Sequence, residues 1–134
     1  MKIVVIDGQG GGLGKNIITQ IKKELSQAEI AALGTNSIAT ASMLKAGPAF
    51  AATGENAIIH NCKDADVIIG PLGVGFAHSL HGEISPRIAY AVSASPARKI
   101  LIPISKCNVS VAGVAENTIS HYLDEMIRLL REQQ

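Results

Sequence analysis

The segment VVIDGQGGGLGKNI, residues 4–17, places five glycines within seven positions between an apolar run and a helical pattern. The apolar run Ile3–Ile6 is continuous, which is typical of a strand covered on both faces. One helix face then follows, formed by Leu13, Ile17, Ile18, Ile21 and Leu25. Because a glycine turn between a buried strand and a helix is how a parallel crossover unit begins, this segment favours an α/β fold.

The rest of the chain continues the alternation of strands and helices. The apolar runs predict strands at Lys2–Asp7, Glu29–Leu33, Asp66–Gly70, Lys99–Ile104 and Val109–Val114. Helices are predicted between them at Ser37–Ala46, Glu55–Lys63 and, after the cap Ser85, from Pro86 to about Ala94, and a last one carries apolar residues from Ile119 to Leu130. The pattern predicts a three-layer, Rossmann-like doubly wound sheet in one domain, residues 1–134.

One junction departs from a wholly parallel arrangement. Only residues 105–108 separate the fourth and fifth predicted strands. A parallel crossover needs about a dozen residues or more. We therefore expect a mostly parallel sheet with one antiparallel edge strand.

The glycine turn predicts a site for a phosphate group. The first turn of a helix carries unpaired N–H groups and the positive end of the helix dipole, and glycine lacks the Cβ that would block a ligand. Asp7 ends the strand, where its carboxylate is expected to organise the loop by accepting N–H groups. The alternative is a turn that packs helix on strand and binds nothing. The candidate binding residues are Asp7, Gly8, Gln9, Gly10, Gly11, Gly12, Leu13, Gly14 and Lys15.

The glycine spacing favours an NAD(P)-type dinucleotide. Gly8, Gly12 and Gly14 resemble the G-x-x-x-G-x-G arrangement of short-chain dehydrogenases. Those enzymes also carry a Tyr-x-x-x-Lys pair, which neither Tyr90 nor Tyr122 forms here. Their proton-transfer chemistry is therefore not implied, and whether the protein is an enzyme is left open.

The end of the second strand lacks the carboxylate that binds a ribose in NAD sites. Thr35, Asn36 and Ser37 stand there instead and are expected to complete the pocket through hydrogen bonds. No Arg or Lys that would suit a 2′-phosphate is nearby in the sequence, so the choice between NAD and NADP stays open. For Ser37, capping the second helix is the favoured interpretation.

A variant P-loop for ATP or GTP is the second hypothesis. The stretch GGLGKN, residues 11–16, resembles the end of a Walker loop, with Lys15 placed to reach phosphates. Against it, Asn16 stands where Ser or Thr holds Mg²⁺, and no later apolar strand ends in Asp.

Over its whole length the chain resembles an uncharacterised family of short bacterial Rossmann-like proteins, a domain of unknown function. Four stretches carry the resemblance: VVIDGQGGGLGK, ALGTNSIATASMLKAG, ATGENAII and ILIPISKCNV. The resemblance implies a self-contained small domain. It implies no reaction and no assigned site.

Residues 71–85 match no regular element and are interpreted as a long loop beside the ligand crevice. They contain His78, His81 and Glu83, residue types that bind metals, but loop or interface histidines are the favoured interpretation and no metal is expected. Cys107 follows a strand, where a reactive role is conceivable, yet a buried structural thiol is favoured there and at Cys62.

Composition limits the partners. The net charge is +1 with scattered basic residues, and aromatic residues are 3%, which argues against nucleic acid. No run approaches the roughly 20 apolar residues that span a bilayer, so we expect a soluble, cytoplasmic protein with no membrane partner. Hydrophobic residues are 47% and charged residues 17%, which predicts a homo-oligomer. A ligand-free homo-oligomeric interaction module is the third hypothesis.

Overall fold

The computed structural model describes residues 1–104 and 108–133, with no account of the Gln133 side chain. Its strands are β1 (Lys2–Asp7), β2 (Glu29–Gly34), β3 (Phe50–Thr53), β4 (Val67–Pro71) and β5 (Arg98–Ile102). Its α-helices are α1 (Gly12–Glu24), α2 (Ser37–Leu44), α3 (Glu55–Cys62), α4 (Pro86–Ala94) and α5 (Ile119–Gln133). A short 3₁₀ turn, Leu72–Gly75, follows β4.

The strands form one sheet in the order β3-β2-β1-β4-β5, and every pair is parallel. β1 is central: Asp7 pairs with Gly34 of β2, and Val5 pairs with Ile69 of β4. The chain moves outward from β1 to β3 and then returns to the other side of β1 to form β4. The carboxyl ends of β1 and β4 therefore form the switch point at which doubly wound sheets bind ligands.

Helices cover both faces of the sheet, as the continuous apolar run in β1 predicts. Alternate residues of a strand point to opposite faces. Ile3 and Val5 join the apolar layer of α1, α2 and α5, while Val4 and Ile6 join that of α3 and α4. All four side chains are fully buried. The predicted three-layer doubly wound class is confirmed.

The predicted antiparallel edge strand is wrong. β5 is the edge on that side and runs parallel to β4, and Val109–Val114 forms no strand. Gly113 there has a φ of 85°, and the amide of Val114 donates to the carbonyl of Val111 across a turn. A left-handed glycine in a closed turn is incompatible with extended backbone, so the apolar spacing of this segment was misleading.

β3, the opposite edge strand, is absent from the strands predicted from the sequence. Its sequence, FAAT, is short and alanine-rich, and alanine favours helix over strand. The strand exists because its backbone pairs with β2, with Ala51 opposite Ala32. That pairing spans a helix and is invisible to a local pattern.

Candidate functional site

A cavity of about 110 Å³ lies at the switch point between the carboxyl ends of β1 and β4. It is lined by the loop from Asp7 to Leu13, together with Pro71, Leu80 and Ile104. The glycine turn therefore borders the crevice at which ligands of this fold bind. Pro71 is the last residue of β4, and Leu80 belongs to the segment after the 3₁₀ turn, so the predicted loop of residues 71–85 borders the crevice but begins with regular structure.

Asp7 lies beneath the turn and organises it. The residue is 6% exposed. The two carboxylate oxygens accept hydrogen bonds from the Gly8 amide at 2.8 Å and the Gly14 amide at 2.7 Å. Burial raises the pKa of this carboxyl, the hydrogen bonds from the Gly14 and Gly8 amides lower it by less, and the charge of Glu83 raises it further. The N–H contacts expected of Asp7 from its position are thus present.

Three of the five glycines, Gly8, Gly11 and Gly14, lie too close to other atoms of the protein to carry a Cβ, and two of these close approaches involve α2. Gly11 has a φ of 74°, and a Cβ there would lie 2.6 Å from the carbonyl oxygen of Ala39. A Cβ on Gly14 would lie 2.5 Å from the Met43 sulfur and 2.9 Å from the Asp7 Cβ. These two positions hold α1 close to α2 and β1. They support the packing alternative and are no evidence of a ligand.

Gly10 and Gly12 are different, because a Cβ at either would meet no atom within 4 Å. α1 begins at Gly12, where the first amides have no partner within the helix. Within residues 1–104 and 108–133, no acceptor is hydrogen-bonded to the amides of Gly10, Gly12 and Leu13. All three residues line the cavity. Their three amides are therefore donors beside open space that have no partner among the described residues.

Glu83 lies over Gly8, the first glycine of the turn. Its Oε1 accepts hydrogen bonds from the Gln9 amide at 2.9 Å, the Thr35 hydroxyl at 2.6 Å and the Asn36 side-chain amide at 2.8 Å. A Cβ on Gly8 would lie 2.8 Å from the same oxygen. In the sequence, Glu83 stands out only beside His78 and His81, as one of three residues of types that bind metals. Nothing local indicates this contact, because it joins the loop after β4 to the end of β2.

The pKa of the Glu83 carboxyl is held below its usual range. Burial acts to raise this pKa, but the hydrogen bonds from Thr35, Gln9 and Asn36, together with the charge of His81, outweigh it. Two carboxyl groups, Asp7 and Glu83, therefore accept hydrogen bonds from the glycine turn, and their pKa values are displaced in opposite directions.

Asn36 is the cap of α2, and the interpretation of Ser37 as that cap is wrong. The Asn36 Oδ1 accepts from the Ala39 amide at 2.8 Å, and its Nδ2 also donates to the Gln9 carbonyl at 3.1 Å. Ser37 is the first helical residue and is exposed. Asn36 thus fixes the helix start and touches the glycine turn at once, whereas Ser37 lies outside this hydrogen-bond network.

The remaining candidates lie apart from this network. Lys15 is half-buried in the first turn of α1, and its amide donates to the Gly11 carbonyl. His78 and His81 are exposed and adopt positive φ angles. Across the described ranges, no group of three or more His, Cys, Asp or Glu residues could hold a metal ion. Cys107 lies outside the described residues.

Cys62 is a buried thiol, in keeping with its interpretation from the sequence. It is 1% exposed, and burial raises its pKa to about 11, against a smaller lowering by Lys99. It borders a larger cavity of about 620 Å³ between α3 and α4, whose lining includes Ile59, Tyr90, Ala91 and Ala94. That cavity contains none of the predicted binding residues.

A five-stranded parallel sheet in this order, with a glycine turn after its central strand, defines a doubly wound, Rossmann-like α/β protein. The chain belongs to the family described as Domain of unknown function (DUF3842), whose model matches residues 2–134. The resemblance to an uncharacterised Rossmann-like family is thereby confirmed. No match was found among curated proteins.

The solved structures similar to this chain include the following two. One is a dodecameric FMN-dependent UbiX-like decarboxylase from Escherichia coli O157:H7, with 19% identity and a TM-score of 0.50, covering 98% of this chain and 75% of the other. The second is a nucleoside-diphosphate-sugar epimerase from Pseudomonas aeruginosa, with 15% identity and a TM-score of 0.48, covering 99% of this chain and 48% of the other. At this identity the first likeness establishes the fold alone. Among the helices of the described residues, none is long and apolar enough to cross a membrane.

Proposed function

We propose that this protein binds a phosphate-bearing nucleotide at the glycine turn, with an NAD(P)-type dinucleotide as the favoured ligand. The observation that carries the proposal is that the amides of Gly10, Gly12 and Leu13, beside the switch-point cavity, have no hydrogen-bond acceptor within residues 1–104 and 108–133. Amides at the start of a helix bind anions because the N–H groups converge there and the helix dipole is positive at that end.

The small volume of the cavity supports a binding mode in which only one part of the ligand lies inside it. Its volume of about 110 Å³ is well below the roughly 300–1,000 Å³ of pockets that enclose a whole small molecule. A phosphate group therefore suits the cavity itself, and the remainder of the ligand would extend along its mouth. We assign to the proposed site, within one nucleotide-binding unit of residues 1–134, the set Asp7, Gly8, Gln9, Gly10, Gly11, Gly12, Leu13, Gly14, Lys15, Thr35, Asn36 and Ser37.

The role of such a site is binding, sensing or one part of an enzyme. Dehydrogenases of this fold commonly use further structure to hold the substrate, and fold by itself does not define a reaction. The decarboxylase with a similar fold is named as FMN-dependent, and FMN also carries a phosphate. We therefore include FMN among the ligands to be tested.

The variant P-loop is less well supported. Asn16 is exposed in α1 and offers no hydroxyl for Mg²⁺. β4 ends in Gly70 and Pro71, so it places no carboxylate beside the turn. Binding of ATP that depends on Mg²⁺ would favour this alternative over the dinucleotide.

A ligand-free module is favoured by one observation, the close packing of Gly11 and Gly14 against protein atoms.

We also propose that the protein forms a homo-oligomer. Large apolar side chains remain exposed in the described chain, among them Ile38 at 70%, Leu44 at 55% and Tyr90 at 73%. Light scattering coupled to size-exclusion chromatography tests this, and a monomeric mass at all concentrations would contradict it.

The binding proposal is tested by calorimetric titration of the full chain with NAD⁺, NADP⁺, FMN, pyrophosphate, and ATP with and without Mg²⁺. The diagnostic variant is Gly12→Asp. A carboxylate at this open position stabilises the start of a helix, yet it repels a phosphate at the same amides. Affinity for the bound nucleotide is expected to fall about tenfold or more while the protein stays folded.

Gln27→Glu is the matched control, because it adds the same charge at an exposed position. Gln27 precedes β2 and so lies at the amino-terminal ends of the strands, whereas the glycine turn lies at their carboxyl ends. The affinity of Gln27→Glu is expected to equal that of the wild type. Absence of binding by every phosphate compound would reject the proposal. Equal affinities of Gly12→Asp and the wild type would show that the nucleotide binds somewhere other than the glycine turn.

A further inference from the structure

We propose that Glu83 supplies the carboxylate that recognises the ribose of the bound nucleotide, so that the site accepts an unmodified ribose diol and rejects a 2′-phosphate. The inference rests on the proposed function and names the substrate class of the same site. It gives a role to a residue that comes from a different part of the chain than the acid usual in this fold.

The position of Glu83 is the first argument. Dinucleotide sites in this fold place an acidic residue near the end of β2, where it accepts hydrogen bonds from ribose hydroxyls. In this chain the end of β2 offers Thr35 and Asn36 instead, and both donate to the Glu83 carboxylate at 2.6 and 2.8 Å. The end of β2 has no carboxylate of its own, and the loop after β4 places the carboxylate of Glu83 there instead.

The geometry of the carboxylate is the second argument. All three hydrogen bonds to Glu83 reach Oε1, from Gln9, Thr35 and Asn36. Oε2 has no hydrogen-bond partner in the part of the chain that the structure describes. Since three donors fix the orientation of the group, Oε2 is a pre-organised acceptor beside the turn.

The charge is the third argument. An ionised carboxylate accepts from hydroxyl groups and repels a second anion. The donors that contact Glu83 are an amide N–H, a hydroxyl and a side-chain amide, none of which carries a positive charge. The charge of His81 acts on Glu83, but His81 is exposed and donates no hydrogen bond to it. A ribose diol suits these surroundings, and a 2′-phosphate does not.

The test compares three probes on the full chain by calorimetry: NAD⁺, NADP⁺ and inorganic pyrophosphate. Pyrophosphate has no ribose and reports on the glycine turn alone. The wild type is expected to bind NAD⁺ about tenfold or more tightly than NADP⁺. In Glu83→Gln, which keeps an acceptor oxygen but no charge, the NAD⁺ to NADP⁺ ratio is expected to approach one, and the affinity for pyrophosphate is expected to rise by less than the affinity for NADP⁺. The control Glu29→Gln removes a charge from an exposed residue at the other end of β2 and should keep the wild-type ratio.

Equal wild-type affinity for NAD⁺ and NADP⁺ would overturn the inference, and this comparison holds even if Glu83→Gln does not fold. A Glu83→Gln protein that binds all three probes more tightly by the same factor would also overturn it, because Glu83 would then be competing for the phosphate position. Binding of pyrophosphate without any NAD⁺ preference rejects the ribose assignment alone. Failure of every probe, pyrophosphate included, rejects the proposed function and this inference with it.

Discussion

The Glu83 carboxylate and the Thr35 hydroxyl lie 2.6 Å apart, although 48 positions separate them in the chain. Thr35 follows β2 and Glu83 belongs to the loop after β4, so their hydrogen bond crosses the end of β1. Gly8 lies directly beneath, where a Cβ would be 2.7 Å from the Thr35 hydroxyl oxygen. The first glycine of the turn is therefore needed because two remote segments meet over it.

The contribution of Glu83 to stability should depend on pH. Because its folded-state pKa is lowered, its stabilising effect is present above the pKa of the unfolded chain, about 4.3, and is lost as the pH falls through the folded value. We expect the difference in unfolding free energy between the wild type and Glu83→Gln to be largest near pH 7. It should shrink below about pH 4, as measured by urea denaturation at several pH values.

Other charged groups near Glu83 are present in both proteins of that comparison. His81 lowers the Glu83 pKa, and Asp7, whose own pKa is raised, contributes with the opposite sign as the pH falls. A difference between the two proteins that stays constant from pH 7 to pH 3.5 would contradict the prediction.

Replacing Asp7 should destabilise the glycine turn. In Asp7→Asn one acceptor oxygen becomes an amide that faces the Gly8 or Gly14 N–H, so a buried donor loses its partner. The expected cost is about 1–3 kcal/mol of unfolding free energy, measured by urea denaturation. The control Asp124→Asn changes an exposed acid on α5 and should stay within about 0.5 kcal/mol of the wild type. Equal effects of Asp7→Asn and Asp124→Asn would show that the hydrogen bonds from the Gly8 and Gly14 amides to Asp7 contribute nothing to the free energy of unfolding.

The glycines of the turn should divide into two classes when each is replaced by alanine. Gly14→Ala forces a Cβ against Met43 and Asp7 in a fully packed region and should cost about 1–3 kcal/mol. Gly10→Ala meets open space and should change stability by no more than about 0.5 kcal/mol. Thermal or urea unfolding of both variants provides the comparison. A Gly14→Ala protein as stable as Gly10→Ala would contradict the packing role.

Cys62 should be unreactive in the folded protein. Its pKa of about 11 leaves very little thiolate near pH 8, and it is 1% exposed. With excess iodoacetamide at pH 8, mass spectrometry of the Cys62 peptide should find little alkylation, and rapid alkylation after addition of urea. Fast alkylation of this peptide under native conditions would contradict the burial of Cys62.

Local sequence determined the class of fold and the location of the turn. The continuous apolar run of β1 requires cover on both faces, and the glycines that follow it allow a helix to start at Gly12. Asp7 was identified for the same reason, since it contacts amides only one and seven residues away. Such features involve residues fewer than ten positions apart, so the spacing and periodicity of the sequence are sufficient to reveal them.

Tertiary structure decided which parts of the turn face protein and which face open space. Gly11 and Gly14 need their lack of a side chain because α2 packs on them, and β3 exists because β2 offers its backbone. Glu83 reaches Thr35 only after β4 has been placed beside β1. These contacts are made between segments whose separation in the chain carries no periodic signal, so only the folded arrangement of the sheet could reveal them.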